Sequence, residues 1–374
     1  MKWILPLLLL AGICVEAEPA RFYLGTYTDN SSSRGIYTGV VDTDTGKLGP
    51  LELAAPLKNP SFVALAPGGK FLYAVTETAA GSVTAFRVEN DGHLTKLNDL
   101  PSGNGGCHVS VDATGRNVFV ANYNGGDLAS FRINPDGSLA KRTALISFTG
   151  SGPDHSRQEK PHLHSTYLDA GNRQFYACDL GTDSIWRFLL DPASGALTPA
   201  EPASAKIPPG SGPRHLAFSP DGRFVYVNGE MGLNVTAFAH AAKTGALTAI
   251  QTVPILPPEV SIRGMGSAEI FCHPNGKWLY VSNRDVAGRG RDSLTVFDIG
   301  ADGKLTRRQN VPAGVKVPRG FDIDPTGQWL VVGGQSDNKI VAFKISPTTG
   351  ELSASDQTAA VGAPVCVVFA PAKN

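Results

Sequence analysis

Five side chains scattered along the chain are of the types that open an ester: His164, Arg214, Glu230, Arg284 and Arg319. An imidazole that titrates near neutrality can take a proton from water. A carboxylate can orient that imidazole or activate the water itself, and a guanidinium fork suits a developing oxyanion or a fixed carboxylate or phosphate. Gathered in one cleft, such groups equip a hydrolytic site for an anionic or carbonyl substrate. Arg214 and Glu230 stand near the two ends of the phrase GPRHLAFSPDGRFVYVNGE. Its middle alternates apolar and polar residues around Pro-Asp-Gly, as two short antiparallel strands do. The blander readings are a salt bridge from Glu230 to Arg214 or Arg284, a loop-backbone contact for His164, and charges that merely cap a solvated surface.

Bringing these residues together is the work of a repeat. The phrases DTDTGKL, ENDGHL, NPDGSL, DPASGAL, AAKTGAL, GADGKL and SPTTGEL place Gly46, Gly92, Gly137, Gly195, Gly245, Gly303 and Gly350 in seven copies of one hairpin turn. A second turn recurs in APGGKFLYAVTE, DATGRNVFVANY, DAGNRQFYACDL, SPDGRFVYVNGE, HPNGKWLYVSNR and DPTGQWLVVGGQ. Its missing seventh copy is split between RFYLGTYT near the N-terminus and VCVVFAP near the C-terminus. Units of roughly 45 to 58 residues with complementary half-repeats at the ends predict an all-β, seven-bladed β-propeller closed by a C-terminal strand that completes the N-terminal blade. Two connections are long and irregular, TGSGPDHSRQEKPHLH after blade three and VPILPPEVSIRGMGSAE after blade five. Such insertions in a compact ring are usually functional.

With the strands of each blade named A to D from the channel outward, the start of every A strand and the end of every B strand share one face. Aligned on the A–B turn, the A column reads Ser61, Cys107, His164, Arg214, Ala268, Arg319 and Val365, and the B column Tyr27, Glu77, Tyr123, Leu180, Glu230, Arg284 and Gln335. Both insertions reach this face too. His164, Arg214, Glu230, Arg284 and Arg319 are therefore expected to ring one mouth of the channel on blades four to seven. Beside them His162, His108 and His215 are candidates for substrate contact or support, and Glu77 and Tyr123 for the wall.

Composition narrows the partners. With 33 basic and 33 acidic residues there is no overall field to draw nucleic acid or an anionic membrane. Lys2, the apolar run from Trp3 to Cys14 and the small residues around Ala17 read as a secretory signal over residues 1–17. The expectation is an exported protein whose mature chain, residues 18–374, is one propeller domain, a monomer with no membrane attachment. Cys107, Cys178, Cys272 and Cys366 fall in strand-like runs, in no metal-binding spacing, and read as buried free thiols. His162, His164 and His215 could suggest a metal, but no carboxylate-rich ligand set accompanies them, so neither metal nor other cofactor is expected.

The phrases GCHVSVDATGRNVFVANYNGGDLASFRI, KPHLHSTYLDAGNRQFYACDLGTDSIWRF, GPRHLAFSPDGRFVYVNGE and LYVSNRDVAGRGRDSLTVF together resemble the seven-bladed propeller lactonase family, across essentially the whole mature chain. That family includes bacterial 6-phosphogluconolactonase and fungal carboxy-muconate cycloisomerase. The resemblance implies an enzyme that hydrolyses a sugar-acid lactone, with His164, Arg214, Glu230 and Arg284 as its active-site residues. A lactone-forming cycloisomerase and an exported propeller that binds a ligand without chemistry are the alternatives. An exported chain fits poorly with a phosphorylated cytoplasmic metabolite, so an unphosphorylated aldonolactone stands beside the 6-phosphate as a candidate substrate.

Overall fold

The computed structural model describes residues 19–372. The expected signal segment, with Cys14, lies outside them. Seven four-stranded antiparallel sheets form the ring, one per repeat. Among the described residues the only helical element is a single 3-10 turn, Leu180–Thr182. Blade one is completed as expected: Pro364–Phe369 pairs antiparallel with Ala20–Thr26, setting Phe22 opposite Phe369 and Gly25 opposite Cys366. Blade four illustrates the unit, with strands A to D at Leu163–Leu168, Gln174–Asp179, Ser184–Asp191 and Ala196–Lys206.

Position within the blade explains the pattern of each strand. B strands such as Gln174–Asp179 and Phe224–Gly229 are buried at every residue, because neighbouring blades cover both faces. D strands such as Leu139–Ser147 lie at the rim and are largely exposed. The protein has no single central core. Each of the seven seams between adjacent blades holds its own apolar cluster, as where Trp278 and Tyr280 of blade six meet Phe321 and Phe343 of blade seven. Each fully buried large side chain contributes about 1.5–3 kcal/mol.

The recurrent turn glycines also serve these seams. Gly350 has φ +71°, and a Cβ there would run into the Trp278 ring of the preceding blade. Tyr280 of that blade donates its hydroxyl to the Gly350 carbonyl at 2.8 Å. Tyr73 with Gly137 and Tyr176 with Gly245 repeat the contact, each at 2.8 Å. Glycine recurs in these turns both for its backbone and because a side chain of the preceding blade, most often aromatic, occupies the space a Cβ would need.

Cys107, Cys178, Cys272 and Cys366 are free and buried, as their strand positions suggested.

Candidate active site

The residues that line one mouth of the channel reach it through an interruption in strand pairing. In blades one and three to seven the register between the A strand and its neighbour shifts at the start of A. The shift skips Val365, Cys107, His164, Arg214 with His215, Ala268 with Glu269, and Arg319. A β-bulge leaves its residue outside the ladder and re-aims the side chain. His164, Arg214 and Arg319 are thus held by rigid sheet on either side while their side chains point into the channel.

Glu230 is the centre of the cluster. One carboxylate oxygen, Oε2, lies 3.0 Å from Arg214 Nε, 3.1 Å from Arg284 Nη2 and 3.9 Å from His164 Nε2. The other, Oε1, accepts from Arg157 Nη2 at 2.9 Å, and the same nitrogen donates to the Tyr123 hydroxyl at 3.1 Å. Burial alone would push this carboxyl up, but Arg284, Arg214 and Arg157 outweigh it and hold Glu230 well below the usual carboxylate range. It is a fixed anion and a weak base.

His164 is the opposite case. Its residue is 4% exposed, and burial, reinforced by Arg214, His215, Arg319 and Arg284, drops its pKa well below that of free histidine. The ring is neutral at physiological pH and keeps a lone pair, while Nδ1 is buried without a hydrogen-bond partner among the described residues. Arg214 is tightly placed: besides Glu230 it donates through Nη1 to the Ala268 carbonyl at 2.7 Å and to His215 Nε2 at 3.3 Å. An arginine can only donate, so His215 Nε2 accepts and Nδ1 carries the proton, which it donates to Glu269 Oε1 at 2.6 Å. Arg284 donates to the Ser267 carbonyl at 3.0 Å as well as to Glu230, and among the described residues its Nε is buried without a partner.

Arg319 is on the same mouth but differently employed. Its guanidinium stands 5.5 Å from the centroid of the Tyr27 ring, and Tyr27 donates to Glu77 Oε2 at 2.9 Å. Among the described residues Arg319 makes no carboxylate ion pair within 4.0 Å. Tyr27 also borders a polar depression of about 360 Å³ shared with Asn30, Gln335 and Asn338. Four guanidiniums, from Arg157, Arg214, Arg284 and Arg319, thus face the two carboxylates of Glu230 and Glu77.

The three flanking histidines take different places. His162 is fixed in the wall, stacked on Tyr123 with its nitrogens 3.0 Å from the Tyr123 carbonyl and 3.1 Å from Glu159 Oε1. His215 lies behind Arg214. His108 packs 4.2 Å from the Phe62 ring and borders the cavity at the opposite end of the channel. His108 follows the bulged Cys107, and its side chain points further down the channel. Arg157 was not foreseen as a single residue, although the length of its insertion marked the loop. Arg291, in the connection between the B and C strands of blade six, is spent on Asp285 and on the Ser261 and Arg263 carbonyls of the other insertion, where it ties that loop down. Among the described residues no group of three or more His, Cys, Asp or Glu is placed to hold a metal ion.

The family model described as lactonase, 7-bladed beta-propeller, matches residues 21–369. The chain is 36% identical over 351 residues to 6-phosphogluconolactonase of Bacillus subtilis (strain 168), covering 93% of this chain and 97% of that protein. Among solved structures, a candidate 6-phosphogluconolactonase from Bacteroides fragilis NCTC 9343 superposes with a TM-score of 0.88 at 35% identity, covering 95% of this chain and 99% of that one. The periplasmic gluconolactonase of Pseudomonas aeruginosa superposes with a TM-score of 0.86 at 30% identity, over 94% and 99% of the two chains.

Proposed function

This chain belongs to the seven-bladed β-propeller lactonase family and is a lactone hydrolase, and from that premise we propose that it opens the δ-lactone of a sugar acid by water attack, with His164 as base. The observation that carries the assignment is the contrast between two buried neighbours: Glu230 is held ionised by three guanidiniums, while His164 is held neutral. A carboxylate so stabilised is too weak a base to take a proton from water, whereas the neutral imidazole accepts one. Glu230 instead holds Arg214 and Arg284 in place.

Water adds to the lactone carbonyl as His164 removes its proton. Negative charge then collects on the carbonyl oxygen beside Arg214, whose fixed fork stabilises it without reorganisation. The ring C–O bond breaks, and the proton on His164 passes to the departing alkoxide oxygen. The product is a hydroxy acid, which loses a proton to solvent at neutral pH.

Arg319, with no carboxylate within 4.0 Å among the described residues, is the group best suited to an anionic substituent on the lactone, such as the phosphate of 6-phosphoglucono-δ-lactone. The leader-like residues 1–17 favour a second substrate, the unphosphorylated aldonolactone, for an exported enzyme. The name of the Pseudomonas aeruginosa relative, a periplasmic gluconolactonase, points the same way.

The test is the initial rate of acid release from glucono-δ-lactone and from its 6-phosphate, with the mature chain and with His164→Ala. The expected result is hydrolysis above the spontaneous rate, reduced about 10²–10⁴-fold by the substitution. If both lactones open only spontaneously, a lactone-forming reaction or ligand binding without chemistry takes its place. N-terminal mass analysis of the expressed chain tests export, with loss of residues through Ala17 expected and retention of Met1 against it.

A further inference from the structure

At the end of the channel opposite the arginines, the A-strand ends and A–B turns enclose a second cavity of about 730 Å³. Its walls are largely apolar and include Phe62, Phe218, Phe271, Phe321 and Phe369. The charged residues lining it are Asp169, Glu269 and Asp322, all acidic; no Lys or Arg is among them. The channel is therefore polarised, with guanidiniums at one mouth and carboxyls at the other. Between the two lies a stack of rings, with His164 to His215 at 5.2 Å, His215 to His108 at 5.4 Å and His108 to Phe62 at 4.2 Å between centroids.

The acidic groups are not all occupied. Asp169 is held in its turn by the Arg173 and Gln174 amides, both on Oδ1. Asp322 accepts one amide on each oxygen, from Ile323 and Phe369. Glu269 takes both its hydrogen bonds, from His215 and the Ile270 amide, on Oε1, which leaves Oε2 to the cavity. His108 supplies an independent sign of an unfilled site. This residue is 4% exposed, its Nδ1 accepts from the Thr166 amide at 3.4 Å, and the opposite nitrogen, Nε2, has no hydrogen-bond partner among the described residues. Nε2 is therefore open to the cavity, a polar atom on an otherwise nine-tenths buried side chain that a ligand there can meet.

We propose that this second mouth binds a small organic ammonium ion with an apolar body, its charge set against Glu269 and Asp322 and its body against the phenylalanine walls. The aromatic faces favour a cation as well as an apolar surface, and His108 Nε2 meets a hydroxyl or ether oxygen on the same ligand. An anion meets carboxyls only, and a neutral molecule of the same shape gains only the apolar contact.

The ionisation state of the two acids gives the proposal a direct signature. Burial pushes Glu269 up to about 8, against Arg214, and Asp322 up to about 7, with Glu269 and Asp324 adding repulsion. The other titratable groups around them are His108 from blade three, Tyr167 and Asp169 from blade four, His215 from blade five, Cys272 from blade six and Cys366 from blade one. At pH 7 Glu269 is therefore mostly protonated, and an arriving cation lowers both pKa values and releases protons.

Calorimetry with 3-phenylpropylammonium, 3-phenylpropanol and 3-phenylpropanoate at pH 7, in two buffers of different ionisation enthalpy, tests this without reference to lactonase activity. The ammonium is expected to bind at least tenfold more tightly than the alcohol, with net proton release, and the carboxylate not to bind. Glu269→Gln and Asp322→Asn are each expected to weaken the ammonium about tenfold and leave the alcohol unchanged. The buffer comparison uses the unaltered protein, so it stands even if a variant folds poorly. Equal affinity for the ammonium and the alcohol, binding without proton release, or no binding of the ammonium at millimolar concentration overturns the proposal.

Discussion

Replacing Glu230 by Gln tests the electrostatic design of the catalytic mouth most directly. The wild-type side chain is 10% exposed, and its partners Arg214 and Arg284 are 3% and 7% exposed. The substitution keeps the shape but removes the only carboxylate within 4.0 Å of either guanidinium among the described residues. Taking one partner from a buried ion pair costs about 3–5 kcal/mol, because the remaining charge is left desolvated and uncompensated. Arg157, whose side chain is 42% exposed, is a different matter. Its pair with Glu230 is screened by solvent, so Arg157→Ala is expected to cost only about 0.2–1 kcal/mol.

The pH dependence has a definite sign. Glu230 has a folded pKa below its ordinary value of 4.5, so its stabilisation is fully present above that value and is lost as pH falls through the folded one. Each unit of depression is worth about 1.4 kcal/mol. Urea titrations of wild type and Glu230→Gln between pH 7 and pH 3 are therefore expected to show a gap that is large at pH 7 and narrows below about pH 4.5, as acid protonates Glu230 in the unfolded chain while the folded one stays ionised. Equal stability at pH 7, or a gap that widens in acid, would refute the picture of Glu230 as the counter-ion that holds the mouth together.

Other consequences follow from single residues. Because His164 has its pKa depressed by burial and four positive or imidazole neighbours, kcat/KM is expected to stay level well below pH 6.5 and to fall only when acid protonates the ring; a decline centred on 6.5 would point to another base. Arg319→Leu is expected to raise KM for 6-phosphoglucono-δ-lactone about tenfold or more while changing KM for glucono-δ-lactone far less, and equal effects on both would remove Arg319 from anion recognition. Gly350→Ala combines a φ of +71° with a clash against Trp278 and is expected to lower stability by about 2 kcal/mol, read as a lower urea midpoint. Burial pushes the Cys178 and Cys272 thiols up to about 12, and Cys107 and Cys366 higher still, so none of the four is expected to react with a thiol reagent until the protein unfolds.

Much of this was legible without coordinates because a repeat is its own ruler. Each blade is the same short-range solution to the same problem, a hairpin pair with alternating apolar residues, so aligning the turns placed His164, Arg214, Glu230, Arg284 and Arg319 at equivalent heights in a ring. The closing strand was equally plain, since an incomplete blade leaves an unpaired edge that only the other terminus can cover. Arg157 was less visible, because the irregular loop that carries it follows no repeat. The direction of His108 was also less legible: alternation along a strand sends successive side chains to opposite sides, but a bulge at the first position shifts which residue faces which mouth.

What the sequence determined by itself is therefore the architecture and the height of each residue along the channel, both of which depend on local pairing that recurs seven times. The tertiary structure alone decided how those residues are shared out. Whether Glu230 is a base or a counter-ion depends on how many guanidiniums come within about 3 Å of it, and whether His164 is neutral depends on its burial. Those are properties of side chains from four different blades and one irregular loop, and no spacing along a single strand encodes the distance between them.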